Sequence, residues 1–206
     1  MTRSGPAFAC SNTAGVIRSF SAATCLPRAG VERALLFGDV RGFSKLKERQ
    51  LQKFLDGVIG GFADVVHSYG DAVEYIETAG DGFYIVINDV AIAAECCFRL
   101  QAVLSPENVA SLGLPGHLAL RLGAHVGPVT PAVDRLIERR KYIGTEVTRT
   151  ARIEPETPPG KTYVTEQFAA TLYHADHCFR CSYVGIREMA KKYGRCRMYS
   201  LEARDL

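Results

Sequence analysis

Two aspartates set among glycines are the residues of this sequence best suited to chemistry. Asp39 lies in the segment FGDVRGFS (residues 37–44) and Asp81 in the segment TAGDGF (residues 78–83). Carboxylates with open space around them suit hard cations such as Mg²⁺ and Mn²⁺, and the backbone carbonyl of Val40 could add a ligand. Two such ions, about 3.5–4 Å apart, can activate an attacking hydroxyl group and hold the oxygens of a leaving phosphate. Each aspartate taken singly is more typical of a turn, so it is the pair with its flanking residues that indicates a metal site.

Hydrophobic patterns predict the elements that must position these aspartates. One apolar run predicts a buried strand that leads to Asp39, and two runs joined by Gly-Asp-Gly predict a β-hairpin with Asp81 at its tip. The strands are predicted at residues 34–37, 73–78, 83–87 and 118–126, and the helices at residues 46–66 and 89–104. This order, β-α-β-β-α-β, is that of an α+β, ferredoxin-like fold, an antiparallel sheet with helices packed on it. Because the first strand lies beside the hairpin in this topology, the two carboxylates should converge at one end of the sheet.

The rest of the chain is predicted to add short elements to this unit. Residues 129–142 are predicted to form a loop that carries a basic run, and residues 144–153 a short helix. Further strands are predicted at residues 162–164, 178–184 and 197–201, with a helix at residues 166–172.

Composition and charge exclude two classes of partner. The chain has 206 residues, of which 47% are hydrophobic and 23% charged, as is ordinary for a globular protein. A net charge of +3 without a dense basic run is too mild for a nucleic-acid-binding surface. No apolar run reaches the roughly 18 residues of a membrane span. We therefore expect neither nucleic acid nor a membrane as a partner.

The N-terminal segment and the cysteines bear on location. Residues 1–31 are rich in Ser, Ala, Thr and Gly and lack the continuous apolar stretch of a secretion signal, which predicts a poorly ordered arm. The seven cysteines show no spacing typical of a disulfide framework. This pattern indicates free thiols in a reducing cytoplasm.

Four motifs together resemble the catalytic domain of class III adenylyl and guanylyl cyclases. They are the two aspartate segments, LRLGAHVGPV at residues 120–129, and the stretch from YIGTEV to ARIE at residues 142–154. The resemblance spans residues 32–201, with the motifs in the order and spacing of the family. It implies that residues 32–206 are a nucleotide cyclase catalytic domain, which turns a nucleoside triphosphate into a 3′,5′-cyclic nucleotide and pyrophosphate.

The resemblance also implies a head-to-tail homodimer with its active sites at the subunit interface. One subunit would supply Asp39, Val40 and Asp81 to two Mn²⁺ or Mg²⁺ ions. The partner would supply the groups that read the base and the phosphates. Among these is Arg152, which would stabilise the charge that builds on the α-phosphate during transfer. A domain that only binds nucleotide would be expected to lose an aspartate or this arginine, and the sequence retains all three.

Other substrate contacts follow from the same resemblance. Thr148 stands where the family usually has Asn, and it could still hydrogen-bond a ribose oxygen, though with less reach. Phe43, in the first motif, is assigned to substrate binding. The lysine that binds the triphosphate aligns with Lys191 or Lys192, and we assign Lys192 with Lys191 as the alternative.

Two charged residues occupy the positions that read the base in this family. Glu77 and Lys141 each lie three residues before a motif glycine. A carboxylate accepts from a ring N–H and an ammonium donates to a carbonyl, a pattern that suits guanine or uracil and excludes adenine and cytosine. The alternative is that Lys141 belongs to an exposed basic run and points to solvent.

A second resemblance favours uracil. The short stand-alone domain, its FGDVRGFSKL opening and EPETPPGK at residues 154–161 look like the pyrimidine cyclases of bacterial Pycsar anti-phage systems. This resemblance implies that UTP is converted to cUMP, which would act on a cyclic-nucleotide-gated effector through the product and not by direct binding of the cyclase. The alternatives are a guanylyl or adenylyl cyclase in ordinary signalling and a non-catalytic nucleotide-binding module.

Histidine and cysteine side chains offer a separate metal hypothesis. His174, His177, Cys178 and Cys181 could bind zinc, but alternating side chains of a strand face apart, which argues against it. His125, in the third motif, is predicted to be a hydrogen-bonded structural residue.

Overall fold

The computed structural model describes residues 30–175 and 178–204. One open sheet of eight strands organises these residues. The strands are β1 Val31–Arg41, β2 Val73–Ala79, β3 Gly82–Ile87, β4 Ala119–Asp134, β5 Arg139–Ile143, β6 Lys161–Thr165, β7 Phe179–Glu188 and β8 Arg195–Ala203. Their order in the sheet is β2-β3-β1-β4-β6-β8-β7, and β5 pairs with β4.

In the part of the chain that the structure describes, six α-helices, one π-helical segment and four 3₁₀ turns connect these strands. The α-helices are α1 Glu48–Lys53, α2 Gly60–His67, α3 Val90–Val103, α4 Pro106–Ser111, α5 Thr145–Thr150 and α6 Glu166–Ala175. A π-helical segment, Phe54–Ile59, joins α1 to α2, and 3₁₀ turns lie at Phe43–Lys45, Gly70–Ala72, Glu154–Glu156 and Ala190–Lys192. The single helix predicted at residues 46–66 is therefore three segments in one continuous run.

Alternation along β1 divides its side chains between the two faces of the sheet. Leu36 and Val40 belong to the main core, which α2, α3 and α6 also line. Leu35 and Phe37 belong to a smaller cluster on the opposite face, with Tyr84 and Tyr142. Because successive strand residues point to opposite faces, Asp39 lies on this second face, away from the main core.

The predicted fold class is confirmed, with two corrections of detail. The β-α-β-β-α-β order is present, and every pairing is antiparallel except β4 with β6, which is parallel. The loop predicted at residues 129–142 is wrong, because β4 continues to Asp134 and forms a hairpin with β5. Val133 is 68% exposed and Leu136 is 92% exposed, so this ribbon lacks the buried face whose alternation marks a strand in a sequence.

Some expectations concern the ends of the chain and its cysteines. The predicted N-terminal arm falls almost wholly on residues 1–29, which lie outside the described residues. Five cysteines lie in the described ranges, and Cys96, Cys97, Cys181 and Cys196 among them are free thiols. Within residues 30–175 and 178–204, no helix has the length and apolar character needed to cross a bilayer.

Candidate active site

The two aspartates converge at one end of the sheet, as the sequence predicted. Asp39 lies near the end of β1, and Asp81 lies in the two-residue turn between β2 and β3. Both line a cavity of about 700 Å³, together with Val40, Phe43 and Arg121. The structure thus brings together four of the predicted residues and adds Arg121, which no sequence pattern indicated.

A glycine makes the sharp exit from β1 possible. Gly42 has φ of +94°, in the left-handed region that favours glycine. A Cβ atom at this position would lie 2.6 Å from the ring of His117. The chain therefore turns directly into the Phe43–Lys45 segment, which places Phe43 at the cavity.

Arg121 connects two carboxylates of the site. It lies opposite Asp39 in the β1–β4 pairing, and its Nη2 atom donates to Oδ2 of Asp39 at 2.5 Å. Its Nε atom lies 3.0 Å from Oε1 of Glu154. The second contact is an ion pair without hydrogen-bond alignment, since neither atom has an aligned partner among the described residues.

The charges around this arginine leave an excess of negative charge. Burial raises the pKa of Asp81, and the nearby Asp39 raises it further. Burial also raises the pKa of Glu154 to about 7, although Arg121 opposes this shift. Three carboxylates against one guanidinium would carry two net negative charges when all are ionised, and this excess suits a divalent cation.

The donor set fits Mg²⁺ or Mn²⁺ bound together with a substrate. Within the part of the chain that the structure describes, no group of three or more His, Cys, Asp or Glu residues is arranged to hold a metal ion by itself. Mg²⁺ commonly binds through one or two carboxylates and completes its coordination with waters and substrate phosphates. Asp39 and Asp81 are such a pair of carboxylates, and the carbonyl of Val40 is a further oxygen beside them.

The raised pKa of Glu154 predicts a pH-dependent stability. The folded state holds the proton up to about pH 7, whereas the unfolded chain releases it near the ordinary value of 4.5. Stability from this group is therefore full below the unfolded pKa and is lost as the pH rises through about 7. Relative to Glu154→Gln, the wild-type free energy of unfolding should fall by about 2 kcal/mol between pH 5 and pH 8.

Urea unfolding without divalent metal at four pH values would measure this difference. Glu156→Gln removes an exposed carboxylate from the same turn and serves as the matched control. Parallel pH profiles for wild type and Glu154→Gln would contradict the assignment of a buried, protonated Glu154.

A second cavity next to the first contains the predicted base-reading residues. Glu77, Lys141 and Thr148 line it, together with Asp39, which also lines the first cavity. The Nζ atom of Lys141 lies 3.7 Å from Oε1 of Glu77. Lys141 therefore does not simply point to solvent, the alternative left open by the sequence.

Arg152 and the candidate lysines lie apart from these two cavities. None of Arg152, Lys191 and Lys192 is among the described residues that line them. The amide of Ala190 donates to the carbonyl oxygen of Arg152 at 3.3 Å, so the turn with both lysines is attached beside Arg152. Lys191 and Lys192 both have positive φ, 58° and 55°, a backbone conformation that residues other than glycine rarely adopt.

Two predictions about histidines remain, a structural role for His125 and a zinc site that includes His174 and His177. His125 is buried, and its Nδ1 and Nε2 atoms lie 2.8 Å from Oγ1 of Thr165 and 2.7 Å from Oε2 of Glu146. The structural role predicted for it is confirmed. The zinc hypothesis includes His177, which lies outside the described residues, and burial raises the pKa of the Cys181 thiol to about 11.

Comparisons with known proteins give a family match and several similar structures. The sequence profile of the family described as Adenylate and Guanylate cyclase catalytic domain matches residues 31–203. The adenylyl cyclase CyaB from P. aeruginosa has a similar structure, with a TM-score of 0.74 and 16% identity over 86% of this chain and 96% of that chain. A comparison with curated proteins gives no significant match.

Two guanylyl cyclases are also similar in structure. The guanylate cyclase domain of RhGC from Catenaria anguillulae, solved in complex with GTP, has a TM-score of 0.69 and 18% identity over 86% of this chain and 100% of that chain. The guanylyl cyclase Cya2 has a TM-score of 0.67 and 24% identity over 86% of this chain and 96% of that chain. At these identities, the similarity establishes the fold.

Proposed function

The chain belongs to the adenylate and guanylate cyclase catalytic domain family, and within that activity we propose that it converts UTP to 3′,5′-cyclic UMP and pyrophosphate. The observation that carries this proposal is the pairing of Glu77 with Lys141, whose Nζ atom lies 3.7 Å from Oε1 of Glu77, in the second cavity. It places a hydrogen-bond acceptor beside a donor, at a distance suited to two neighbouring groups on one base.

The pattern of these two groups selects among the four bases. Uracil carries N3–H beside O4, so its N–H can donate to Glu77 and its carbonyl can accept from Lys141. Cytosine and adenine carry an unprotonated ring nitrogen beside an amino group, which would set acceptor against acceptor and donor against donor. Guanine repeats the uracil pattern with N1–H and O6, so GTP is the second candidate. The resemblance to compact pyrimidine cyclases favours UTP.

The reaction proposed here is an intramolecular displacement at the α-phosphorus. The ribose 3′-hydroxyl gives its proton to water, and its oxygen bonds to the α-phosphorus. The bond from that phosphorus to the bridging oxygen breaks, and pyrophosphate leaves with the electron pair. Asp39, Asp81 and the carbonyl of Val40 would hold two Mn²⁺ or Mg²⁺ ions. When bound, such ions lower the pKa of an attacking hydroxyl group and stabilise the leaving oxygens.

A second copy of the chain would complete the site. To that copy we assign the base-reading pair, Glu77 and Lys141, together with Thr148 of the same cavity, which would contact a ribose oxygen. Its Arg152 would stabilise the charge on the α-phosphate. Lys192, or Lys191 beside it, would contact the triphosphate. Phe43 would contact the substrate on the side of the aspartates. The support for this division is that Arg152 and the lysine turn lie together, outside the cavity that holds the aspartates.

The product would serve as a second messenger in bacterial anti-phage defence. A cyclic pyrimidine nucleotide made on infection would switch on an effector through its nucleotide-binding domain. This role rests on the resemblance of the FGDVRGFSKL and EPETPPGK segments to Pycsar cyclases. A neighbouring gene that joins a cyclic-nucleotide-binding domain to a toxic module would support it.

Product analysis tests the substrate directly. Purified protein with Mn²⁺ is incubated separately with UTP, CTP, GTP and ATP, and the products are identified by chromatography and mass. We expect cUMP as the main product. Only uracil and guanine match the acceptor and donor in the cavity, and the resemblance to pyrimidine cyclases favours uracil. A dominant cGMP peak would move the assignment to the second candidate, a dominant cAMP peak would refute the base argument, and no product from any nucleotide would support a binding-only module.

A further inference from the structure

The carboxylate of Glu77 is held by a tyrosine from its own strand. Tyr75 and Glu77 are alternate residues of β2 and therefore share a face of the sheet. The hydroxyl of Tyr75 donates to Oε2 of Glu77 at 2.9 Å, whereas Lys141 lies near the other oxygen, Oε1. The two oxygens of this carboxylate thus have different partners, and only one of them faces the base-reading lysine.

The ammonium of Lys141 has a second carboxylate partner. Its Nζ atom lies 3.7 Å from Oδ2 of Asp134 as well as 3.7 Å from Oε1 of Glu77. Lys141 pairs with Ala132 in the β4–β5 hairpin, so Asp134, two residues further along, is its diagonal neighbour. Both contacts are longer than a hydrogen bond, which leaves the ammonium protons available to a carbonyl oxygen of a ligand.

Packing fixes the position of the Tyr75 hydroxyl. The ring of Tyr75 lies 5.5 Å from that of Tyr84 and 6.0 Å from that of Tyr142. The hydroxyl of Tyr142 donates to Glu74 at 2.8 Å, and Arg33 makes two further hydrogen bonds to the same carboxylate. Burial raises the pKa of Tyr75 to about 12, and the hydrogen bond to Glu77 adds to this shift. Tyr75 therefore remains a hydrogen-bond donor throughout the neutral range.

From this geometry we infer that Tyr75 and Asp134 are positioning residues for base selection. Tyr75 occupies Oε2 of Glu77, which leaves Oε1 as the acceptor for a ring N–H, and Asp134 holds Lys141 within reach of the adjacent carbonyl. The inference rests on the base-reading role that the proposed function gives to Glu77 and Lys141. A carboxylate fixed in this way cannot turn aside from the lone pair of an unprotonated ring nitrogen, so cytosine and adenine are rejected more strongly than by a mobile carboxylate.

The test compares selectivity and not activity alone. For Tyr75→Phe, kcat/KM is measured with UTP, CTP, GTP and ATP, and we expect the UTP:CTP and GTP:ATP ratios to fall about tenfold. The change should appear mainly in KM, because the hydrogen bond orients the base and does not touch the reacting phosphate. Tyr69→Phe, which removes the hydroxyl of another partly buried tyrosine outside the cavity, should keep both ratios.

Two further measurements separate the possible outcomes. Asp134→Asn should lower the same ratios by a smaller factor, because Lys141 keeps its contact with Glu77. Dissociation constants of 3′-deoxy-UTP and 3′-deoxy-CTP, which lack the attacking hydroxyl, report base selection without any turnover. In Tyr75→Phe, the ratio of these constants should fall by the same factor.

The inference and the proposed function can fail separately. If wild-type protein prefers GTP to UTP, the substrate assignment fails, and the GTP:ATP ratio still tests Tyr75 and Asp134. If Tyr75→Phe lowers kcat/KM equally for all four nucleotides and leaves the binding ratio within twofold of wild type, the residue has only a structural role and the inference is overturned. Melting temperatures monitor folding, and Asp134→Asn carries the test if Tyr75→Phe does not fold.

Discussion

An Asp81→Asn variant is expected to lose cyclase activity by about a thousandfold or more. Metal ions supply several kcal/mol of charge stabilisation in such a transfer, and each 1.36 kcal/mol corresponds to a factor of about ten in rate. Asn keeps the shape of the side chain but removes the negative charge of one of the two aspartates that line the cavity. Asp81 lies in a hairpin turn and contributes nothing to the hydrophobic core, so the fold should survive. Initial rates with Mn²⁺ and the preferred triphosphate measure the loss.

A control variant at the surface and a metal-binding measurement show whether the loss of activity is due to the loss of a metal ligand. Asp64→Asn removes an exposed carboxylate from α2 and should leave the rate unchanged. Mn²⁺ should raise the melting temperature of wild type and of Asp64→Asn, and should raise that of Asp81→Asn much less. An Asp81→Asn enzyme that retains more than a tenth of the wild-type rate would show that Asp81 is not a metal ligand.

The convergence of Asp39 and Asp81 could be predicted because both positions follow from local pattern. A strand leading to Asp39 and a hairpin tipped by Asp81 each leave a signature within a few residues, and the ferredoxin-like order makes β1 a neighbour of the hairpin. Tyr75 was also within reach of the sequence, since the two-residue period of a strand places it beside Glu77. It was missed because a tyrosine in an alternating strand is an ordinary core residue.

Arg121 and Glu154 could not be found in the same way. The pairing of Arg121 with Asp39 depends on the register between β1 and β4, strands separated by more than seventy residues of chain. A shift by one residue would turn Arg121 to the other face, and no local pattern determines that register. Glu154 acquires its raised pKa from burial beside this pair, which depends on the tertiary fold.

The β4–β5 hairpin was missed for a different physical reason. Sequence patterns report which side chains are buried, and this ribbon extends beyond the body of the sheet with exposed apolar residues such as Leu136. The hairpin nevertheless positions both Lys141 and Asp134. For the proposed base-reading site, the sequence therefore predicted the residue Lys141 but not the hairpin that positions it.

Mixing two inactive variants is expected to restore about a quarter of the wild-type activity. In a head-to-tail dimer each site takes aspartates from one subunit and Arg152 from the other, so Asp81→Asn and Arg152→Ala damage different halves. A mixed dimer then contains one site with both defects and one intact site. Random exchange makes half of the dimers mixed, which leaves one site in four active. The measurement is the rate of an equimolar mixture, incubated to allow exchange, against each variant alone. A mixture no more active than its components would mean that each site is built within one protomer, and it would overturn the division between the aspartate cavity and the Arg152 side of the molecule.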